Sequence, residues 1–234
     1  MRSRLAWAFA SICTVGLFSA DAAFAQQSVN FSLGYFTVRG EDARVEGDVL
    51  VADRELFLFD FSDFNTVSFG AEWLAPIGDY FEVGAGIGFT SRGVDTIYDE
   101  FVRPDESEIE QQLKLRIIPI TGTVRVLPLG RHAAFQPYVG GGLGIYNWRY
   151  SETGDFIDFT LPGRPIFRES YVATGTAIGP VAVFGARFPV GTSATFGGEV
   201  RYQKAEGDLD ENDFLGPKID LGGFHYSVTF GVRF

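Results

Sequence analysis

Apolar and polar residues alternate with period two along most of this chain. Val67, Phe69, Ala71 and Trp73 are separated by Ser68, Gly70 and Glu72. Phe81, Val83, Ala85, Ile87 and Phe89 alternate with Glu82 and three glycines. The final run sets Phe224, Tyr226, Val228, Phe230, Val232 and Phe234 against His225, Ser227, Thr229, Gly231 and Arg233. Comparable segments cover Val29–Val38, Ile109–Leu127, Phe135–Trp148, Tyr171–Phe188 and Thr195–Gln203. Period two is the mark of strands with unlike faces, and these segments predict eight of them.

The joints alternate in length. Short Pro/Gly turns are expected at Ala75–Asp79, Pro128–His132 and Pro189–Ser193, and long polar loops at residues 40–65, 92–108, 149–169 and 204–220. One face of each strand carries large apolar residues. Aromatics such as Trp73, Phe81, Phe135, Phe188, Tyr202, Phe224 and Phe234 stand near its ends. The other face carries Gly, Ser, Thr, Glu and Arg. A soluble sandwich also alternates, but an apolar outside, aromatic rims and short–long connections together describe a barrel in lipid. In hydrocarbon such a sheet must close, because an open edge would leave amides unpaired. The expected fold is an all-β, eight-stranded antiparallel up-and-down transmembrane barrel, with ten strands as the alternative.

Residues 1–25 read as an export leader: basic Arg2 and Arg4, an apolar stretch, then Ala23-Phe24-Ala25 as the cleavage site. The barrel is then residues 26–234. The single cysteine, Cys13, falls in the leader, leaving the mature chain without thiol chemistry. The formal charge of −11 argues against nucleic-acid binding. It is also unevenly spread, since the four long loops hold 24 of the 30 acidic residues and 9 of the 19 basic ones. Such a crown is a hydrated, self-repelling surface, or one that binds divalent cations against lipopolysaccharide phosphates. Asp208–Asp213 begins like a calcium loop but lacks its sixth-position glycine, and Ile219 stands where the closing glutamate belongs.

The eight segments, the leader, the Pro137–Gly144 strand and the last run resemble the small outer-membrane β-barrel superfamily of OmpA-, OmpX- and OmpW-like proteins. That resemblance implies a place in the bacterial outer membrane and contact with lipid and lipopolysaccharide. It also implies a last strand, with Phe230, Val232 and Phe234, that the outer-membrane assembly machinery recognises. No periplasmic domain is expected after Phe234. The first loop is unusually apolar, with Leu56, Phe57, Leu58, Phe59 and Phe61. It fits a plug, a hairpin or an added strand pair.

An eight-stranded barrel is narrow enough for side chains to fill. Parity points Glu72, Glu82, Lys114, Arg116, Arg125, Arg187, Glu199, Arg201, His225 and Arg233 inward, with a phase slip near Ile117–Pro119 that suggests a β-bulge. Opposite charges in a narrow lumen are expected to pair, which gives a closed lumen. The alternatives are a thin anion-favouring pore and a conduit for apolar ligands. Chemistry is poorly supplied: His132 lies in a turn, and His225 has only Asp220 and Ser227 as neighbours for a hydrolase triad. No catalytic residue, metal or cofactor is expected. Tyr146–Tyr150 and Phe156–Phe159 are read as the upper aromatic girdle with a folded loop, the alternative being a partner-binding patch.

Overall fold

The computed structural model describes residues 27–234; the expected leader, with Ala23 and Ala25, lies outside them. The strands are β1 (Ser28–Val38), β2 (Thr66–Ile77), β3 (Phe81–Val102), β4 (Glu108–Val126), β5 (Gln136–Ile157), β6 (Ile166–Val190), β7 (Ala194–Gln203), β8 (Glu206–Asp208), β9 (Lys218–Asp220) and β10 (Gly223–Arg233). Eight close into an antiparallel barrel in the order β1-β10-β7-β6-β5-β4-β3-β2. Closure runs the whole length of β1, from Ser28 opposite Arg233 to Val38 opposite Gly223.

The barrel exterior is a continuous apolar belt. Phe31, Leu33, Phe69, Ile87, Ile120, Val124, Leu143, Ile145, Ile178, Phe184, Phe196 and Val228 are all exposed. Water would penalise this surface and hydrocarbon favours it, so the belt marks the bilayer. On β4 it runs from Val126 to Ile118; at about 3.3 Å per residue and a tilt near 40° those nine positions rise roughly 20–25 Å.

Four strands continue well past the belt. The β5–β6 ladder runs unbroken from Gln136 opposite Arg187 to Ile157 opposite Ile166. Most of residues 92–108 and 149–169, expected as loops, is therefore strand, and the true connections shrink to Arg103–Ser107 and Asp158–Pro165. The reason is an inversion of polarity. Beneath Ile118 the outward residues of β4 are apolar and the inward ones include Thr121, Thr123 and Arg125. Above it the outward residues are Arg116, Lys114, Gln112 and Glu110, and Leu115, Leu113 and Ile109 point in and are buried. The strand has left lipid for water, so its apolar side turns round.

This inversion produced the apparent phase slip at Ile117–Pro119. The β4 register against β5 is continuous there, and the irregularity against β3 lies between Ile97 and Val102 instead. Two expected lumen residues are thereby corrected: Lys114 and Arg116 face outward and are exposed.

The upward extension is roofed from inside. Residues 39–65 add no strand pair to the barrel. They form two 3-10 turns (Glu41–Ala43 and Phe61–Phe64) and a short helix, α1 (Val49–Asp53). Leu50, Phe57, Phe59 and Phe64 pack with Leu113, Leu115, Ile117, Trp148 and Tyr150 in one buried cluster. The extra strand pair is β8–β9, a small separate sheet in the last loop, whose Ile219 joins the same cluster. Tyr146, Trp148 and Tyr150 are not an outer girdle: they point inward beneath this dome and are buried. Trp148 lies so close on Gly207 that a Cβ there would clash with its ring.

Candidate functional site

The lower lumen is crossed by a compact charged network. Arg125 on β4 and Arg201 on β7 each pair with both Glu72 on β2 and Glu199 on β7. Arg125 reaches Glu199 at 2.9 Å, and Arg201 reaches Glu72 at 3.1 Å and Glu199 at 3.0 Å. The fourth pair is Arg125–Glu72. Two carboxylates meet two guanidiniums, so the cluster is neutral. The Tyr138 hydroxyl donates to Glu199 at 3.0 Å, Thr123 donates to Glu72 at 3.0 Å, and Arg201 donates to Thr121 at 3.1 Å. The Arg125 guanidinium also lies over the Tyr138 ring, 4.7 Å from its centroid. These partners sit on four strands whose inward positions converge only when the sheet closes.

A second pair lies toward the turn end of the barrel. Arg187 pairs with Glu82 and donates through Nε to Gln136 Oε1 at 2.9 Å, and Arg233 donates to the same oxygen at 3.1 Å. Glycine makes room for these large groups. A Cβ on Gly185 would stand 2.5 Å from the Tyr138 hydroxyl, and one on Gly84 would stand 2.6 Å from Glu72 Oε1. Because the Tyr138 ring is rigid, Gly185→Val is expected to expel its hydroxyl from Glu199 and to cost about 1–3 kcal/mol. The measurement is urea unfolding in vesicles; wild-type stability would refute the packing.

Against this network lies a cavity of about 50 Å³, lined by Ser32, Ser68, Thr121, Gln203, His225 and Ser227 together with apolar Phe69, Ala71, Ile87 and Pro119. That volume has room for only a few water molecules. His225 faces the cavity, its Nε2 3.2 Å from Gln203 Oε1 and its ring against Phe36 at 4.5 Å. Asp220 and Ser227, its neighbours in sequence, are engaged elsewhere. Asp220 pairs with Arg39 and accepts from the amides of Val45 and Gly222, and Ser227 donates to the Glu199 carbonyl. His132 stays in its turn, 3.3 Å from Asp79.

The dome has polar anchors of its own. Arg44 pairs with Asp48, and Asp48 Oδ1 accepts the Asp220 amide at 2.8 Å, fastening the first long loop to the last. Deeper inside, the Tyr150 hydroxyl donates to Asp53 Oδ2 at 2.6 Å. Glu152 lies beside them, and no cation partners either acid among the described residues. Burial first, and then their mutual repulsion, raises the Asp53 carboxyl well above the usual range. Burial pushes Glu152 up to about 7.

Parity supplied Glu72, Glu82, Arg125, Arg187, Glu199, Arg201, His225 and Arg233 as inward residues, and all of them line the lumen. It did not supply Tyr138, Thr121, Thr123, Gln136 and Gln203. They share the same inward phase without the charge that marks the others. The Asp53–Tyr150–Glu152 cluster had no sequence signal, since it joins a loop to a strand 97 positions away.

A closed eight-stranded antiparallel barrel with an apolar outer belt, a charged lumen and a roofed end is the architecture of a transmembrane β-barrel. No family model and no curated protein matches the chain. Among solved structures it is similar to Neisserial surface protein A, with a TM-score of 0.46 and 11% identity over 90% of this chain and 97% of that one. A major outer membrane protein of Thermus thermophilus gives 0.45 and 12%, over 89% and 99%. The N-terminal β-barrel domain of Pseudomonas aeruginosa OprF gives 0.42 and 9%, over 89% and 97%.

Proposed function

We propose that this protein is an interaction protein of the cell envelope, closed to ion flow, which presents an acidic extracellular dome to its partners. The observation that supports the reading is the neutral four-residue network of Glu72, Arg125, Glu199 and Arg201, whose ion pairs span from β2 and β4 to β7 across the narrow lumen. A hydrated ion would have to break several buried ion pairs at once, each costly to leave half-made. Above the network the apolar dome core adds a second barrier. The engaged state of Asp220 and Ser227 supports a role without catalysis. In this reading the outward-facing Phe230, Val232 and Phe234 serve assembly before they serve lipid contact.

The test is single-channel recording of the refolded mature chain in planar bilayers, with folding verified by heat-modifiable gel mobility. Folded protein is expected to give no discrete steps. Regular steps with a salt-gradient reversal potential of one sign would replace this reading with a selective pore.

A further inference from the structure

At the turn end of the lumen lies a small basic recess of about 50 Å³, with room for a few waters or one small ion. Glu82 of β3, Arg131 of the β4–β5 turn, Arg187 of β6 and Arg233 of β10 line it, with Ser28 of β1 at its edge. Three guanidiniums therefore face a single carboxylate. Glu82 pairs with Arg187. The acceptor that Arg187 and Arg233 share is Gln136 Oε1, at 2.9 and 3.1 Å, a neutral amide between two cations. That amide is held in place, because its Nε2 donates to the carbonyls of Arg131 and Ala133. Arg131 makes no side-chain hydrogen bond or ion pair among the described residues. Asp79, in the neighbouring turn, pairs with His132 at 3.3 Å and does not line the recess. Arg187 and Gln136 are buried, so water screens the surplus charge poorly.

Glu82 adds a second requirement. One of its oxygens accepts from Arg187, and the other, Oε2, is buried with no hydrogen-bond partner among the described residues. A buried acceptor without a donor is costly. A ligand that suits this recess thus carries anionic oxygens for the guanidiniums and one O–H for Glu82. We propose that the recess binds inorganic hydrogen phosphate, which keeps one O–H across the neutral range. Arginine forks match its oxygens. Sulfate has the same shape but no proton at neutral pH, and a lipid phosphodiester has none either, so the source is the free ion on the turn side. Arg187 and Arg233 are tied to Gln136, and Arg131 is the arm that closes on the ion. The recess lies outside the network of Glu72, Arg125, Glu199 and Arg201, so its occupancy does not depend on whether the lumen conducts.

The test is calorimetric titration of the refolded mature chain with inorganic phosphate, sulfate and dimethyl phosphate at neutral pH, folding being verified by heat-modifiable gel mobility. Wild-type protein is expected to bind phosphate about ten-fold more tightly than either of the others, the margin of one buried hydrogen bond to a charged group. R131Q should weaken phosphate and sulfate alike by about ten-fold, through loss of one charged fork. Glu82→Gln should bring the two anions to similar affinity, because an amide donates to sulfate as readily as it accepts from phosphate. The K114Q control, on the barrel exterior, should bind as wild type does. Sulfate or the diester binding as tightly as phosphate would overturn the assignment, and so would a titration with no saturable heat. Unchanged binding in R131Q, or a phosphate preference kept by Glu82→Gln, would place the ion elsewhere. If Glu82→Gln fails to fold, R131Q and the wild-type ratio of the three anions still decide.

Discussion

Replacing Arg125 by methionine should cost the barrel about 3–5 kcal/mol of unfolding free energy, the usual penalty for leaving buried charge uncompensated. Arg125 is fully buried, and its removal leaves Glu72 and Glu199 sharing Arg201 alone. The single change Glu72→Gln should be costly for the mirror reason, since it leaves two guanidiniums facing one carboxylate. Combining the two leaves Glu199 and Arg201 as a balanced pair, so the double variant should lose clearly less than the sum of the singles. A coupling energy of at least about 1 kcal/mol is expected from the cycle. The measurement is reversible urea unfolding in lipid vesicles, followed by tryptophan fluorescence. Additive losses, or a single-variant loss below about 1 kcal/mol, would mean that the network does not hold the barrel together.

Raising the pH from 4.5 to 8 should loosen the dome while the barrel stays closed. In the dome, Glu152 is raised to about 7 by burial, and Asp53 is raised by burial and by Glu152. Asp48 moves the same way through burial, against the pull of Arg44. An opened dome returns these acids to water and to ordinary values near 4. Between those limits the closed form holds more protons than the open one, so its stability is greatest at and below about pH 4.5. It then declines as pH rises through 7. For Glu152 alone the loss is on the order of 3 kcal/mol. Hydrogen exchange of residues 49–57, corrected for intrinsic rates, should show protection falling over this window, and Glu152→Gln should flatten the fall. Flat protection in the wild type would show that these acids find compensation elsewhere.

Both predictions rest on groups that the chain gives unequal notice of. Period-two alternation marks every barrel strand, because a strand between two solvents must separate its faces. Prolines and glycines mark the turns at one end, because tight reversals need their backbone geometry. The lumen charges were visible for the same reason, as charged residues on the face opposite the aromatics. The partners of those charges were not. That Arg125 meets both Glu72 and Glu199 follows from closure and stagger, which bring β2, β4 and β7 to one level.

The upper half of the molecule misled by the same rule that made the lower half readable. Alternation on β4 never breaks, but its meaning reverses at Ile118, where the outer solvent changes from hydrocarbon to water. Below that point Val124 faces out and Arg125 in; above it Lys114 faces out and Leu115 in. Read in one phase, the reversal resembles a bulge and turns two exterior cations into lumen residues. In the same way Trp148 and Tyr150 resemble a girdle until Leu50, Phe57 and Phe64 are seen packed over them. Alternation along the chain is enough to give strands with two unlike faces and a sheet that must close in lipid. Where each strand leaves the membrane, and what its inner face then covers, depends on loops folding back from far along the chain, and no local pattern carries that.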